Sequence, residues 1–296
     1  MKKRPFLMAF LTLGAIFLFF LALVYAVSGL SGPSRSFPIG EKIGVIEIAG
    51  VITASKTINE QLVNFREDSS VKAIVLRIDS PGGGVGPSQE IYEEVRKANE
   101  IKPVVASMGS VAASGGYYVA APARSILANP GTITGSIGVI MEFTNFQELL
   151  EKIGLKSQVV KSGEHKDIGS PVRPMSEADR AILQSLIDDV HAQFVSAVAE
   201  GRQMTTEEVA PLADGRIFTG RQALEQGLVD ELGNLQDAID VAARMAGIEG
   251  EPRVIYPAEK KPKIFDYLIE ETASQLQRGL QERGGAGPQF LWSGVK

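Results

Sequence analysis

An α/β fold built on a parallel sheet is what this sequence predicts, and three observations point to it. Short runs rich in β-branched residues alternate with stretches whose apolar residues recur at helical spacing, the pattern of βαβ units. Glycine-rich turns stand where two of those runs end, at Asp79-Ser-Pro-Gly-Gly-Gly84 and Met108-Gly-Ser-Val-Ala-Ala-Ser-Gly-Gly116. Hydrophobic residues make up 44% of the 296 positions and charged residues 22%, an ordinary globular balance with room for a large core.

The first element is a separate physical object. Met1 to Arg4 is basic, and Pro5 to Val27 carries no charge. Wound as a helix, that stretch spans roughly 33 Å, enough for a hydrocarbon core of about 30 Å. The basic cluster precedes it and little positive charge follows, so the N-terminus is expected in the cytoplasm and the bulk of the chain outside. Val24-Tyr-Ala26 offers a cleaved signal peptide as the alternative. The apolar run exceeds the usual h-region of about 7–15 residues, which favours a retained transmembrane anchor over residues 1–28. Residues 29–41, rich in Gly, Ser and Pro, read as a flexible linker.

The main domain is expected over residues 42–256. Strands are predicted at Ile43–Ile48, Ala73–Ile78, Pro103–Ser107, Ser125–Ala128 and Ser157–Val160. Helices are predicted at Thr57–Glu67, with Ile58, Leu62 and Phe65 on one face, and at about Pro87–Glu100 after the break at Gly82 to Gly86. A helix of small residues is expected over Ala112–Ala121, then helices at Thr144–Ile153, Arg221–Gly227 and Asp237–Gly247. Ser176–Gly201 reads as a long helix with Ile182, Leu186, Val190 and Phe194 in phase. Residues 257–296 are expected to form an amphipathic helix, striped by Ile264, Phe265, Leu268, Ile269, Leu276 and Leu280, followed by a loose tail.

Composition removes several functional classes. The absence of Cys excludes disulfides, thiolate nucleophiles and Cys-type zinc sites. Only two His are present, without ligand spacing, so no metal site is expected and no cofactor is implied. A net charge of -5 argues against nucleic acid as a partner. No Gly-Lys-Ser/Thr follows the glycine run and the Rossmann spacing is not met, so phosphate cradling is not supported.

Ser114 is the residue that suggests chemistry. Ala112-Ala-Ser-Gly-Gly116 is close to the hydrolase elbow G-x-S-x-G, with Ala112 where the first glycine would stand. A serine hydroxyl needs a base to take its proton. His165, its neighbour Lys166, and His191 within the long helix are the groups available, and on residues alone His165 and Lys166 both stay open. A lysine base must be neutral, which at pH 8 costs roughly 3 kcal/mol against the ordinary lysine pKa of about 10.4. Burial lowers a lysine pKa enough to meet that cost. Ser69-Ser-Val-Lys72 has the S-x-x-K spacing, but it precedes a strand and no Lys-Thr-Gly occurs. If the two glycine-rich turns lie at one sheet edge, the backbone N–H groups of Gly83 and Gly115 form a candidate oxyanion hole.

Taken together, these segments resemble the short form of bacterial signal peptide peptidase A, a Ser–Lys serine protease of the Clp protease/crotonase superfamily. The resemblance covers Lys42 to about Gly247. It rests on the two glycine-rich turns, Thr134-Gly-Ser-Ile-Gly-Val139, Lys161-Ser-Gly to Gly169-Ser-Pro171, and Phe218-Thr-Gly-Arg-Gln-Ala-Leu to Gly227-Leu-Val-Asp230. It implies Ser114 as nucleophile, Lys166 as general base, Ser136 as the residue orienting the lysine, and Gly83 and Gly115 as oxyanion donors. It further implies an inner-membrane endopeptidase degrading remnant, hydrophobic signal peptides, and a homo-oligomer in which the dyad is shared between protomers. Cleavage of other membrane-protein segments, or a catalytically silent peptide-binding scaffold, are the alternatives.

Overall fold

The computed structural model describes residues 13–20, 22, 41–257 and 289–291. The chain divides into two units, residues 1–40 and 41–296. In the first, residues 13–20 and 22 are helical and expose Leu13, Ile16, Phe17, Leu18, Phe19 and Phe20. No helix among the described residues is long and apolar enough to cross a membrane. The remainder of the expected anchor, the linker up to residue 40, and the expected amphipathic helix of the tail lie outside the described residues.

The second unit is built on an 8-stranded, mostly parallel sheet, ordered β7-β6-β4-β2-β1-β9, with β5 and β8 branching from β4. Its strands are β1 (Lys42–Ala49), β2 (Val71–Ser80), β4 (Val104–Ala113), β5 (Ser125–Ala128), β6 (Ile133–Gly135), β7 (Ile217–Thr219), β8 (Glu231–Leu232) and β9 (Arg253–Ile255). Among the described residues of this sheet, only the β6–β7 pairing is antiparallel. Two further strands, β3 (Gly82–Gly84) and β10 (Gln289–Leu291), pair with each other antiparallel.

The central strands are apolar on both faces because helices cover both faces. Ile46 and Ile48 on β1, and Ile74, Leu76 and Ile78 on β2, enter one core with Met108, Ile91, Tyr117 and Phe194. The alternate positions Ile43, Val45, Ala73, Val75 and Val105 enter a second core against Ala238, Ile239 and Ala242. That is the two-residue period of a pleated strand, buried either way it points. The first face carries α1 (Lys56–Glu67), α2 (Val85–Ile101), α3 (Gly115–Ala120) and the C-terminal half of α5 (Glu177–Arg202). The second face is covered by α8 (Leu235–Ala246), which begins at an Asn234 capping box and ends at left-handed Gly247.

Several expectations are corrected. The expected helix from Ala112 starts only at Gly115, because β4 runs on to Ala113. The β4 extension changes partner from β5 to β6, pairing Val111, Ala112 and Ala113 with Ile133, Thr134 and Gly135. Its small residues let the strands approach, and the Asp79 carboxylate accepts the Val111 N–H at 3.0 Å. Ser157–Val160 forms no strand; its four residues are exposed and the β-branched pair finds no ladder. The helical stripe of α5 is only half covered: Phe194 is fully buried, whereas Ile182 and Leu186 remain exposed. α4 (Gln147–Lys152) buries none of its residues. The loose tail is also corrected at one point, since residues 289–291 form β10.

Candidate active site

Parallel pairing brings the glycine-rich turns together, as the sequence suggested. β2 and β4 run side by side, with Ser80 opposite Ala112, so both chains leave the sheet at its C-terminal edge. β6 lies on the other side of β4, so Ser136 emerges at that same edge. Ser114, Ser136 and the strand Gly82–Gly84 therefore cluster where open α/β sheets bind ligands.

Ser114 sits on the turn between β4 and α3. Its backbone has φ 54° and ψ -119°, a conformation that L residues avoid at a cost of about 1–3 kcal/mol. The turn is held by the Ser114 N–H donating to the Gly135 carbonyl at 2.8 Å and by Tyr118 N–H donating to the Ser114 carbonyl at 2.8 Å. This strand–turn–helix context is the one a nucleophile elbow requires. The side chain is 1% exposed, and its Oγ has no hydrogen-bond partner among the described residues. A buried hydroxyl without a partner forgoes about 1–3 kcal/mol, so this atom is the most costly unsatisfied polar group at the sheet edge among the described residues.

The two expected oxyanion residues are neighbours. A Cβ added at Gly115 would lie 3.1 Å from the Gly83 nitrogen and 2.7 Å from Ser88 Oγ. A Cβ at Gly83 would lie 2.1 Å from the Ile52 carbonyl oxygen, which bridges to this strand and accepts the Gly84 N–H at 2.8 Å. Glycine is required at both places by close backbone approach. Gly115 opens α3, where an N–H has no acceptor inside its own helix.

β3 carries a partner that the sequence did not announce. Phe290 stands opposite Gly83, Gln289 opposite Gly84 and Leu291 opposite Gly82, antiparallel. An extended segment of polypeptide thus lies along the strand that holds one expected oxyanion residue. No short-range sequence signal marks this, because glycine runs are depleted in strands.

Ser136 also has a positive φ, 51°, and is 7% exposed. It borders a cleft of 470 Å³ lined by Val139, Ile140, Gln184, Asp188, His191 and Ala213. His191 is engaged there, its Nε2 2.7 Å from the Ala213 carbonyl oxygen.

Lys166 is not brought to Ser114 within this chain. It lies exposed in a turned loop fixed by its own N–H donating to the Gly163 carbonyl and by Ile168 N–H donating to that of His165. No other described group bonds or pairs with its ammonium. The charged and imidazole groups around it engage one another. His165 Nδ1 is 3.0 Å from Asp179 Oδ1, Arg173 Nη1 is 2.7 Å from Asp179 Oδ2, and Arg173 also makes two 2.9 Å bonds to the Asp167 carboxylate. Lys161 Nζ reaches Asp167 Oδ1 at 2.6 Å. Both carboxylates are held well below the usual carboxylate range: Asp167 by Arg173 and then Lys161, Asp179 by His165 and then Arg173. His165, the rival base, is held by Asp179 through Nδ1, an arrangement that leaves the role of its Nε2 open. Ser176 to Asp179 is a capping-type spacing readable in the sequence: the Ser176 hydroxyl accepts the Asp179 N–H, while the Asp179 carboxylate is shared between Ser176 and the loop groups His165 and Arg173.

Comparison with known proteins agrees with this fold. The model of peptidase family S49 matches residues 96–249, and that of Clp protease matches residues 44–133. A Synechocystis protein provisionally named a protease is 46% identical over 80% of this chain and 86% of its own length. An Enterococcus faecium protein, provisionally named signal peptide peptidase SppA, is 44% identical over 61% of this chain and 53% of its own. Protease 4 of Salmonella typhi is 36% identical over 79% of this chain and 37% of its own length. A parallel sheet of the Clp protease type, a serine on a strained elbow and these matches lead to one conclusion: the chain belongs to peptidase family S49 and is a serine protease.

Proposed function

We propose that this protease is a membrane-anchored endopeptidase that degrades remnant signal peptides, with Ser114 as nucleophile and Lys166 as general base. The observation that carries the reading is the unpartnered, buried Oγ of Ser114 beside a glycine strand already paired with an extended segment. A substrate peptide added to β3 in the manner of β10 gains main-chain hydrogen bonds whatever its sequence. Its scissile carbonyl then faces the N–H groups of Gly83 and Gly115, which stabilise the tetrahedral oxyanion.

In the chemical step, neutral Lys166 takes the Ser114 hydroxyl proton as Oγ attacks the carbonyl carbon. The lysine returns that proton to the leaving amine as the peptide bond breaks. Water then attacks the acyl-enzyme with the lysine again accepting the proton, releasing the second product and free Ser114. Ser136, at the same sheet edge, is the group that orients the lysine.

A lysine base must give up its proton, which removal from water favours, so this chemistry needs Lys166 covered. A second copy of the chain supplies the cover and completes the dyad across a subunit boundary. Two features support this: Ser114 Oγ lacks a partner within the described chain, and Ile140, Phe146, Leu149, Ile153, Leu155 and Val160 stand exposed on the segment leading to Lys166. The exposed apolar helix of residues 13–20 supports an N-terminal anchor, which holds the enzyme where apolar signal-peptide cores reside.

Mixing inactive Ser114→Ala and Lys166→Ala chains tests the arrangement. Restored cleavage of a signal-peptide substrate is expected, because the serine of one variant meets the lysine of the other. Loss of activity in each variant without restoration on mixing would place both groups in one protomer. Fluorophosphonate labelling, lost in Ser114→Ala, is expected for a catalytic serine, and an unlabelled wild-type assembly would make the site a silent scaffold.

A further inference from the structure

We infer that Arg173 is a positioning residue that keeps Lys166 deprotonable, by holding the Asp167 and Asp179 carboxylates away from its ammonium. The inference rests on the reading of Lys166 as the general base.

Lys166 is flanked in sequence by His165 and Asp167, and both flanking side chains are tied down. Asp167 is held by Arg173 Nε and Nη2 at 2.9 Å and by Lys161 at 2.6 Å. Arg173 Nη2 also donates to the Asp167 backbone carbonyl at 3.2 Å. Its Nη1 reaches Asp179, which is 2% exposed at the first turn of α5 and which also binds His165. A chain of paired polar groups, Lys161–Asp167–Arg173–Asp179–His165, therefore closes around the loop and leaves the Lys166 ammonium outside it.

The arrangement matters because of sign. A free carboxylate within about 4–6 Å stabilises the ammonium form and raises a lysine pKa by about 1–3 units. Asp167, the next residue in the chain, is the carboxylate best placed to swing toward that ammonium if no other cation holds it. Arg173 does so bidentately and permanently, since guanidinium does not titrate in this range. The remaining ionisable groups on the packed segments are Glu164 in the loop, Glu142 on residues 140–146, and Glu177 and Arg180 on the first turn of α5; all four are exposed to solvent. They are unchanged in every variant below.

The test is the acid limb of kcat/KM against pH for the full-length assembly cleaving a signal-peptide substrate, since that limb reports the base in the free enzyme. In Arg173→Gln the limb is expected to move up by about one pH unit, a roughly tenfold loss of kcat/KM on the limb. Adding Asp167→Asn to the same chain is expected to return it. Lys161→Met removes the other cation from Asp167 through an exposed side chain, so folding is spared, and is expected to move the limb the same way by less. A limb that stays in place in Arg173→Gln and Lys161→Met overturns the inference, whatever happens to the plateau, and so does a shift that Asp167→Asn fails to reverse. Lys166→Ala in the same assay separates the two claims. Retained activity there removes lysine as the base, whereas lost activity with an unmoved limb in the other variants removes only the role of Arg173.

Discussion

Replacing Gly115 by alanine tests the oxyanion geometry with a single methyl group. The added carbon would sit 2.7 Å from Ser88 Oγ, 3.1 Å from the Gly83 nitrogen and 3.2 Å from the Gly82 Cα. Ser88 has no room to retreat: it is fully buried, and its hydroxyl donates to the Gly84 carbonyl at 2.9 Å. The methyl group therefore wedges the two glycine turns apart by a few tenths of an ångström. Overpacking of this kind costs about 1–3 kcal/mol of stability. Misaligning one oxyanion donor costs about 3 kcal/mol in the transition state, roughly a hundredfold in kcat, with KM little changed because the oxyanion does not exist in the bound substrate. The assay is steady-state cleavage of an apolar peptide, with circular dichroism to verify folding. Ser88→Ala in the same chain removes the nearest atom and is expected to recover part of kcat. A folded Gly115→Ala enzyme with kcat within about threefold of wild type would refute the assignment of Gly115.

Three other outcomes follow from particular contacts. Tyr117→Phe strips the hydroxyl that donates to the Leu228 carbonyl at 2.9 Å in a fully buried site, so chemical denaturation should show a loss of about 1–2 kcal/mol with kcat unchanged. Deleting residues 289–296 removes β10 from β3, and if substrate docks on that strand, KM for an apolar peptide should fall while kcat holds. Because Asp167 and Asp179 are depressed in the folded chain, the stability they contribute is complete above the ordinary carboxylate pKa of about 4 and is lost as pH falls through their lower folded values. Thermal melts should therefore be flat from neutral pH to about 4 and fall below it, and Asp179→Asn should lower Tm at about pH 7 and make the acid fall shallower.

The elements legible beforehand were those whose pattern is local. β1, β2 and β5 fell close to their β-branched runs, and α1, α2, α5 and α8 close to their apolar spacing and breaks. Ser157–Val160 has two β-branched residues in four and made no strand, because a strand exists only where a neighbour completes its ladder. Ile182 and Leu186 kept perfect phase with Phe194 and still lie exposed, since periodicity shows which face is apolar but not what covers it. The β4 extension through Gly109 to Ala113 was hidden because glycine is depleted in strands and Ala112 and Ala113 favour helix. What decides it is β6 alongside and the Asp79 carboxylate, both remote in sequence.

Sequence by itself determined the α/β class, the serine at its elbow and the glycines that permit close backbone approach, because each follows from residue chemistry over a few positions. Only the tertiary structure decided that Ser114, Gly83, Gly115 and Ser136 share one sheet edge, since parallel pairing joins segments far apart in the chain. It alone also decided that Arg173 and Asp179 clamp the loop around Lys166, and that β10 lies along β3. Those are long-range pairings of charge and of backbone, and their partners are selected by the folded path of the chain, not by any local pattern.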